Sequence, residues 1–429
     1  MRICKTIAAC LSLWLAYPTC AQTLFSTTPE DVGLSSARLS YIDALLQRYV
    51  DEKKIAGGVT LVARRGKVAH FAAFGEMDEG KPMQRDAIFR IYSMTKPITS
   101  VAAMILYEEG HFQLYDPVAQ YLPEFADLKV FAGETAQGIE LSEPERPMTI
   151  HDLLTHTSGL SYGDSDTPVD LMYRKAGIPD FRSTPNSYFY TLPNHDRLAD
   201  MVQKLSEAPL LFHPGERWHY SVSTDVLGHL VEVISGMPLD QFFAQRIFAP
   251  LNMVDTGFYV PEEKVARFTA GYGLDDSGAL TNIDSPQTSP FTQPPTLVSG
   301  GGGLSNGDGL VSTASDYYNF AQMLLNGGHL NGTRLLSRKT VELMTENHLW
   351  GEYEEGYGFG LGFSVLVNLA RSQELGSVGN FGWMGAANTW FLVDPREELV
   401  AIFMMQFVPY GHYPIINQFK TLAYQAIID

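Results

Sequence analysis

The spacing of apolar residues changes from a helical to a strand-like period near the start of the chain. Between residues 35 and 52, apolar residues recur every three or four positions, which predicts a helix capped by Ser35 or Ser36. Residues 58–63 and 68–74 are short runs rich in β-forming residues, and the turn between them predicts an antiparallel hairpin. The apolar positions of the helix are Leu39, Ile42, Leu45, Leu46 and Tyr49.

The middle of the chain has a mostly helical pattern, and the strand-like pattern returns beyond about residue 300. This layout predicts one α+β domain over residues 22–429, with an antiparallel sheet built from both ends of the chain. The sheet lobe is expected at about 22–94 and 300–429, and the helical lobe at about 95–299. A cleft between the lobes is the expected place for a site. The predicted helices are 149–156, 196–205, 224–235 and 413–428, and the later predicted strands are 360–367, 387–393 and 399–407.

The first 21 residues have the pattern of an export signal. Arg2 and Lys5 precede an apolar run at 7–17, and small residues at 19–21 suit cleavage after Ala21. We therefore expect an exported protein, periplasmic or secreted. The apolar run is too short to span a bilayer, and the residues before Cys20 are a poor lead-in for a lipoprotein anchor. No later stretch is long and apolar enough for a membrane span, so no stable membrane insertion is expected.

The cysteines and the charge balance exclude several classes of function. Cys4, Cys10 and Cys20 all lie in the predicted signal, so the mature chain would lack a disulfide, a zinc thiolate and a cysteine nucleophile. The chain has 48 acidic and 30 basic residues and a net charge of −18, which argues against binding to nucleic acid or anionic lipid.

The segment at residues 89–97, FRIYSMTKP, has the sharpest chemical signal. Ser93 and Lys96 are three positions apart, which places both on one face of a helix that Pro97 and the following apolar residues predict. A serine hydroxyl needs a base to become a good nucleophile, and a lysine in a dry cleft loses proton affinity and can supply one. The alternative is an ordinary helix start with a solvated lysine.

Several segments together resemble the serine β-lactamase and penicillin-binding-protein superfamily. These segments are 89–100, LYDPV at 114–118, YLP at 121–123, LLTHTSGL at 153–160 and GLVSTASD at 309–316. The likeness covers about residues 38–426 and is greatest to class C β-lactamases and their esterase relatives. It implies a β-lactamase/transpeptidase-like α+β fold, with an antiparallel sheet flanked by terminal helices and an inserted helical lobe. It also implies that Ser93 is the nucleophile.

The superfamily's second element, often Tyr-x-Asn, matches PGERWHYSV at residues 214–222. Tyr220 occupies the tyrosine position and Val222 the asparagine position. The resemblance implies that Tyr220 and Lys96 together carry the proton of Ser93 to the leaving group. Which of the two is the formal base stays open, because coupled groups titrate together. The alternative for Tyr220 is a half-buried surface ring.

The third element, usually Lys-Thr-Gly, matches Trp383-Met384-Gly385 within GWMGAANTW at residues 382–390. The resemblance implies that Gly385 lets the substrate approach the backbone, and that the N–H groups of Ser93 and Ala386 form an oxyanion hole. Substrate contacts are expected from Tyr92, Trp218, Trp383, Met384 and Gly385. The alternative for Trp383 is a buried ring that only packs.

The absence of the third-element lysine bears on the substrate. In β-lactamases and D,D-peptidases that cation helps to hold a substrate carboxylate, whereas Trp-x-Gly is typical of family VIII carboxylesterases. We therefore expect a small-molecule ester substrate, a short-chain acyl group and an acyl-serine intermediate, with no metal or organic cofactor. The alternatives are a class C-type β-lactamase, a D-amino-acid peptidase, or a non-catalytic sensor that acylates at Ser93 without turnover.

Two other patterns suggest rival sites. Gly-x-Ser-x-Gly occurs around Ser161 and Ser305, but neither match has the strand before it and the helix after it that an α/β-hydrolase elbow needs. His151 and His156 are five apart, without a carboxylate at a typical zinc-ligand spacing. We expect these histidines to pack at a helix end and not to bind metal.

Overall fold

The computed structural model describes residues 24–178, 197–302 and 309–429, so the predicted export signal lies outside it. The helices are α1 Ser36–Asp51, α2 Thr95–Glu108, α3 Ile150–Leu154, α4 Pro168–Ala176, α5 Leu198–Ser206, α6 Ser223–Ser235, α7 Leu239–Phe243, α8 Ala249–Leu251, α9 Ala314–Leu325, α10 Arg338–Met344, α11 Leu369–Ser372 and α12 Ile415–Tyr424. The strands are β1 Gly57–Arg64, β2 Lys67–Asp78, β3 Lys81–Pro82, β4 Phe89–Arg90, β5 Val130–Thr135, β6 Gly138–Ser142, β7 Gly271–Leu274, β8 Leu280–Asp284, β9 Val311–Ser312, β10 His329–Leu330, β11 Thr333–Arg334, β12 Tyr357–Phe359, β13 Ser364–Leu366, β14 Phe381–Met384, β15 Trp390–Asp394 and β16 Leu399–Met405.

The main sheet joins the two ends of the chain, as the sequence pattern predicts. Its strand order is β12-β13-β14-β15-β16-β1-β2-β3, and every neighbouring pair is antiparallel. The junction between the two parts is the pairing of β1 with β16, in register from Gly58 opposite Met405 to Arg64 opposite Leu399.

Each face of the sheet is covered by its own set of helices. α1 and α12 pack on one face, where Leu46 and Phe419 join a core with Phe403. α1 begins where expected, because the Ser35 side chain accepts a hydrogen bond from the Arg38 N–H. α2, α6 and α9 contribute to the larger core on the other face, which leads to the helical region.

The structure corrects three features of the predicted layout. Residues 360–367 are not one strand: β12 and β13 form a hairpin that turns between Gly360 and Gly362, where the chain closes on itself with a Gly360 N–H to Phe363 C=O bond of 2.8 Å. Residues 385–389 form a turn, so β15 begins only at Trp390. The region between 95 and 299 also contains two hairpins, β5–β6 and β7–β8, which the sequence reading missed.

A fully buried arginine anchors the short strand that precedes Ser93. Arg90 forms an ion pair with Asp284 at 2.6 Å and donates to the Thr269 carbonyl at 2.7 Å. The Gln406 side chain accepts from the Arg90 N–H and donates to its carbonyl, in the manner of a neighbouring strand. Because a buried charge must be paired, this network fixes β4 relative to the sheet.

In the part of the chain that the structure describes, no helix combines the length and apolar character needed to cross a bilayer.

Candidate active site

Ser93 lies in a short turn that leads directly into α2. Residues Tyr92–Met94 form a 3₁₀ turn, and α2 follows at Thr95. Tyr92 has φ of +42°, which is strained for a residue with a side chain and costs on the order of 1 kcal/mol. The turn is held by a 2.9 Å hydrogen bond from the Tyr317 hydroxyl to the Met94 carbonyl. Ser93 is partly exposed, whereas its neighbours Tyr92 and Met94 are buried.

Lys96 is buried beside the Ser93 hydroxyl, as the three-residue spacing predicts. Its side chain lies on the first turn of α2 and the residue is 2% exposed. The Nζ atom donates to Ser93 Oγ at 3.2 Å and to the Gly301 carbonyl at 2.7 Å. The amine is therefore held at a fixed position against the hydroxyl, with little access for water.

Asp225 is a buried carboxylate that supports this position and that sequence analysis missed. It accepts the Gly301 N–H at 2.9 Å and the Ser299 hydroxyl at 2.5 Å, so it fixes the residue whose carbonyl holds Lys96. Burial raises the pKa of Asp225, and the Lys96 cation opposes this rise. From the sequence, Asp225 resembles an ordinary acidic residue in the first turn of a helix, because its partners come from 74 and 76 positions away.

Tyr220 lies directly before α6 and places its ring beside Lys96. The Lys96 Nζ atom is 4.7 Å from the centroid of the Tyr220 ring, close enough for a cation–π contact. The aromatic ring of Tyr220 makes this contact. Among the described side chains, no hydrogen bond joins the Tyr220 hydroxyl to Lys96 or Ser93. The structure thus brings all three predicted catalytic residues together.

Among the described residues, the two backbone N–H groups expected to form the oxyanion hole have no hydrogen-bond acceptor. Neither the Ser93 N–H nor the Ala386 N–H donates to another residue within the described ranges. The turn that carries Ala386 is closed by the Gly385 N–H, which donates to the Thr389 carbonyl at 2.8 Å. Unpaired N–H groups on two packed backbone segments are what an oxyanion hole requires.

The missing side chain of Gly385 also lets two backbone segments of the protein pack closely. A Cβ atom built on it would lie 3.1 Å from the carbonyl carbon of Ile91 and closer still to its oxygen. The glycine therefore allows the turn after β14 to pack against the backbone that leads into Ser93. It brings two protein segments together, and any substrate contact at this position is made by backbone.

Aromatic rings surround Tyr220 and form one wall of the site. The Trp383 ring is 5.6 Å from the Tyr220 ring, and the Trp218 ring is 6.1 Å from it and nearly parallel. Tyr353 lies 4.5 Å from Trp218, and Phe359 lies 5.3 Å from Trp383. Trp218 and Trp383 are brought to the site as predicted, whereas Tyr353 and Phe359 were missed because they come from a loop and an edge strand with no recognised motif.

The structure contradicts two of the expected substrate contacts. Tyr92 is 4% exposed, and its ring packs against Phe291 in an apolar cluster separate from the one that includes Tyr220. Met384 follows Trp383 in a strand, so the two side chains point to opposite faces of the sheet. Met384 packs in the α1–α12 core, where it does not face the site.

His156 is a further residue beside Tyr220 to which sequence analysis gave no role in the site. Its ring lies 4.9 Å from the Tyr220 ring and is 2% exposed. Burial lowers its pKa well below the usual value, and the nearby Lys96 cation and His219 lower it further. His156 is therefore neutral at physiological pH.

The structure describes two of the three rival patterns, and neither forms a site among the described residues. Ser161 is fully buried and donates to the Asp170 carboxylate at 2.5 Å, in a loop that no strand precedes. The other Gly-x-Ser-x-Gly match, at 303–307, lies outside the described residues. His151 contacts His348 at 3.0 Å and not His156. In the described ranges, no three His, Cys, Asp or Glu side chains are grouped to hold a metal ion.

The fold and the grouping of Ser93, Lys96 and Tyr220 define a class of protein. The chain belongs to the Beta-lactamase family, whose profile matches residues 42–424. This match confirms the predicted superfamily and α+β fold, and the relatives below confirm a serine hydrolase related to the carboxylesterases.

Three relatives illustrate the relationship. Protein Rv1367c of Mycobacterium tuberculosis is 36% identical over 384 residues, covering 85% of this chain and 89% of that protein. Esterase EstB of Burkholderia gladioli is 30% identical over 385 residues, covering 86% of this chain and 91% of EstB. The solved structure of EstCE1, described as a hydrolase with promiscuous acyltransferase activity, has a TM-score of 0.75 and 27% identity, covering 90% of this chain and 99% of EstCE1.

Proposed function

We propose that this protein is a carboxylesterase that hydrolyses short-chain esters through an acyl-Ser93 intermediate. The observation that carries the proposal is the 3.2 Å hydrogen bond between the buried Lys96 amine and the Ser93 hydroxyl. The relationship to esterases such as EstB supports the choice of an ester substrate.

The reaction takes place in two steps. Ser93 Oγ attacks the ester carbonyl carbon while its proton passes to the Lys96–Tyr220 pair, and the Ser93 and Ala386 N–H groups stabilise the oxyanion. The bond to the alkoxide then breaks, and the pair returns the proton so that an alcohol departs. Water repeats the sequence on the acyl-Ser93 ester, releasing the carboxylic acid and restoring the serine hydroxyl.

The wall around Tyr220 favours a neutral, apolar ester group. Trp383 stands where a lysine of the superfamily would hold a substrate carboxylate, and an indole ring cannot neutralise a carboxylate. The rings of Trp218 and Tyr353 lie 4.5 Å apart on the same wall and remain partly exposed, so they offer apolar contact area. We therefore expect p-nitrophenyl butyrate to be a better substrate than a β-lactam or a D-alanyl peptide.

A nucleophile substitution tests the proposal. Ser93→Ala should abolish p-nitrophenyl butyrate turnover and labelling by a fluorophosphonate, and mass spectrometry should find the label of the unchanged protein on the peptide with Ser93. The matched control is Ser161→Ala, which removes a buried serine that does not face the site and should keep labelling. Turnover that survives in Ser93→Ala and disappears in Ser161→Ala would overturn the assignment.

A substrate panel separates the proposal from its alternatives. Continuous ester turnover with slow nitrocefin hydrolysis is the expected result. Faster turnover of nitrocefin than of the ester would identify a β-lactamase instead. One stoichiometric burst with a β-lactam and no ester turnover would identify an acyl-serine sensor.

We also propose that the protein is exported after cleavage behind Ala21. The basic start, the apolar run and the small residues before the cleavage point support this. Expression of the full chain with its N-terminus intact should yield a mature protein that begins at Gln22, as measured by intact mass. Recovery of the uncleaved chain in the cytoplasm would refute this proposal.

A further inference from the structure

His156 has a strained backbone conformation. It follows the end of α3 with φ of +55°, in the left-handed region where glycine is preferred. A residue with a Cβ atom costs on the order of 1 kcal/mol there. Such strain persists only where the surrounding contacts hold the residue in place.

The hydrogen bonds of His156 go to the segment that carries Tyr220 and to the first turn of α6. The His156 carbonyl accepts the His219 N–H at 2.8 Å, on one side of Tyr220. On the other side, Nδ1 lies 3.2 Å from the Ser221 hydroxyl and Nε2 lies 3.4 Å from the Thr224 hydroxyl. The imidazole thus bonds to residues on the C-terminal side of Tyr220 while its backbone bonds to the N-terminal side.

The Ser221 contact continues into a buried chain of hydroxyl groups. Ser221 Oγ lies 2.7 Å from Ser223 Oγ, which lies 2.7 Å from Ser158 Oγ. All three serines are buried, so each hydroxyl depends on its neighbours for a hydrogen-bond partner. These hydrogen-bonded hydroxyl groups join the first turn of α6 to the segment after α3 and restrict the conformation of the residues around Tyr220.

The His156 ring also limits where the Tyr220 ring can lie. The two ring centroids are 4.9 Å apart at an interplanar angle of 48°, and the Tyr220 ring also contacts the Lys96 amine, with Nζ 4.7 Å from its centroid. The titratable groups near the imidazole are Lys96 from α2 and His219 from the Tyr220 segment, and both favour the neutral ring. A neutral imidazole can donate through one nitrogen and accept through the other, which suits two hydroxyl partners.

We propose that His156 is a positioning residue that fixes the Tyr220 ring against Lys96 and affects the reaction only through Tyr220. The inference rests on the proposed function, in which Tyr220 and Lys96 share the proton of Ser93. It assigns no contact between His156 and the substrate.

A double-mutant cycle tests this role. His156→Phe keeps a ring of similar shape and loses both imidazole hydrogen bonds. It should lower kcat for p-nitrophenyl butyrate by at least about tenfold with KM within about twofold, because only the placement of the proton-transfer group changes. In the Tyr220→Phe background the same substitution should leave kcat unchanged within about twofold, because the proton-transfer hydroxyl, whose place the ring position determines, is already absent.

Two milder variants keep the test decisive if His156→Phe folds poorly. Ser221→Ala and Thr224→Val each remove one imidazole partner, and each should lower kcat in the otherwise unchanged protein but not in Tyr220→Phe. The matched control is His151→Phe on α3, whose ring contacts His348 and not Tyr220. This control should keep kcat within about twofold even if its melting temperature falls.

The outcomes separate the inference from the proposed function. Equal fractional losses of kcat from His156→Phe with and without the Tyr220 hydroxyl would overturn the positioning role and leave the esterase proposal intact. Full kcat in Tyr220→Phe alone would instead overturn the proton-transfer role of Tyr220, and the positioning role with it. Circular dichroism melting of every variant checks that the compared proteins are folded.

Discussion

Gly385→Ala offers a sharp test of how the oxyanion hole is built. The backbone at Gly385 does not have a positive φ, so alanine introduces no local conformational strain. The perturbation is purely steric: the new methyl group would lie 3.1 Å from the Ile91 carbonyl carbon, closer to the carbonyl oxygen, and against the Thr389 hydroxyl. The side-chain hydroxyl can rotate away, but the Ile91 carbonyl belongs to the backbone that leads into Ser93.

The size of the effect follows from the distance that the backbones must move. Restoring ordinary contact between carbon atoms, at about 3.5–4.0 Å, requires the turn and the Ser93 segment to separate by roughly 0.5–1 Å. These two segments carry the Ala386 and Ser93 N–H groups, so the separation widens the oxyanion hole directly. A displacement of this size can cost about 10²-fold in rate, and loss of one oxyanion donor costs about 10²–10³-fold.

The assay is steady-state hydrolysis of p-nitrophenyl butyrate together with thermal unfolding. We expect kcat to fall about 10²-fold in Gly385→Ala, and overpacking to lower stability by about 1–3 kcal/mol. Gly351→Ala is the matched control, because a Cβ atom there meets no atom within 4 Å. Unchanged kcat in Gly385→Ala, with a melting temperature like that of the control, would refute the reasoning.

Three further predictions follow from other parts of the molecule. Trp383→Ala should lower kcat/KM for p-nitrophenyl butyrate at least about tenfold, because it removes apolar area from the wall of the site. Met384→Ala, on the other face of the sheet, should leave kcat/KM within about twofold. Equal losses in the two variants would contradict the assigned faces. Asp225→Ala removes the acceptor of the buried Gly301 N–H, whose residue holds Lys96 through its carbonyl. It should lower the free energy of unfolding by about 3 kcal/mol in urea titrations and reduce kcat. Unchanged kcat would show that Lys96 is positioned without this carboxylate. Burial lowers the pKa of His70 to about 4, so the unfolded protein binds a proton at this residue more tightly than the folded protein does. The free energy of unfolding should therefore fall by up to about 3 kcal/mol as the pH drops from about 6.5 to 4. His70→Gln should lose that part of the pH dependence, and an identical pH dependence in the variant would refute the assignment.

The sequence predicted best where the signal was local. The spacing of Leu39 to Tyr49 gives α1, and the three-residue spacing of Ser93 and Lys96 gives their hydrogen bond, because helical geometry fixes both. The pairing of both chain ends into one sheet was also predictable, since the strand-like runs lie only there.

The remaining features depend on contacts between distant segments. Alternation along β14 implies that Trp383 and Met384 face opposite ways, but only the packed fold shows that Trp383 is on the catalytic side. Similarly, His156 is an isolated histidine until the fold places it against residues more than sixty positions away. The position of the Tyr92 ring, packed against Phe291 from a distant segment, could not be predicted from its place beside Ser93 in the sequence.

The pairing of β1 with β16 has a consequence for biosynthesis. The centre of the sheet joins residues 57–64 to residues 399–405, so the first hairpin to leave the ribosome has one open edge while more than 300 residues are still to be translated. During this interval β1 exposes unpaired N–H and C=O groups to other nascent chains. We expect the yield of folded protein to depend on chaperones that cover this edge, because closure of so long a loop comes late and is slow.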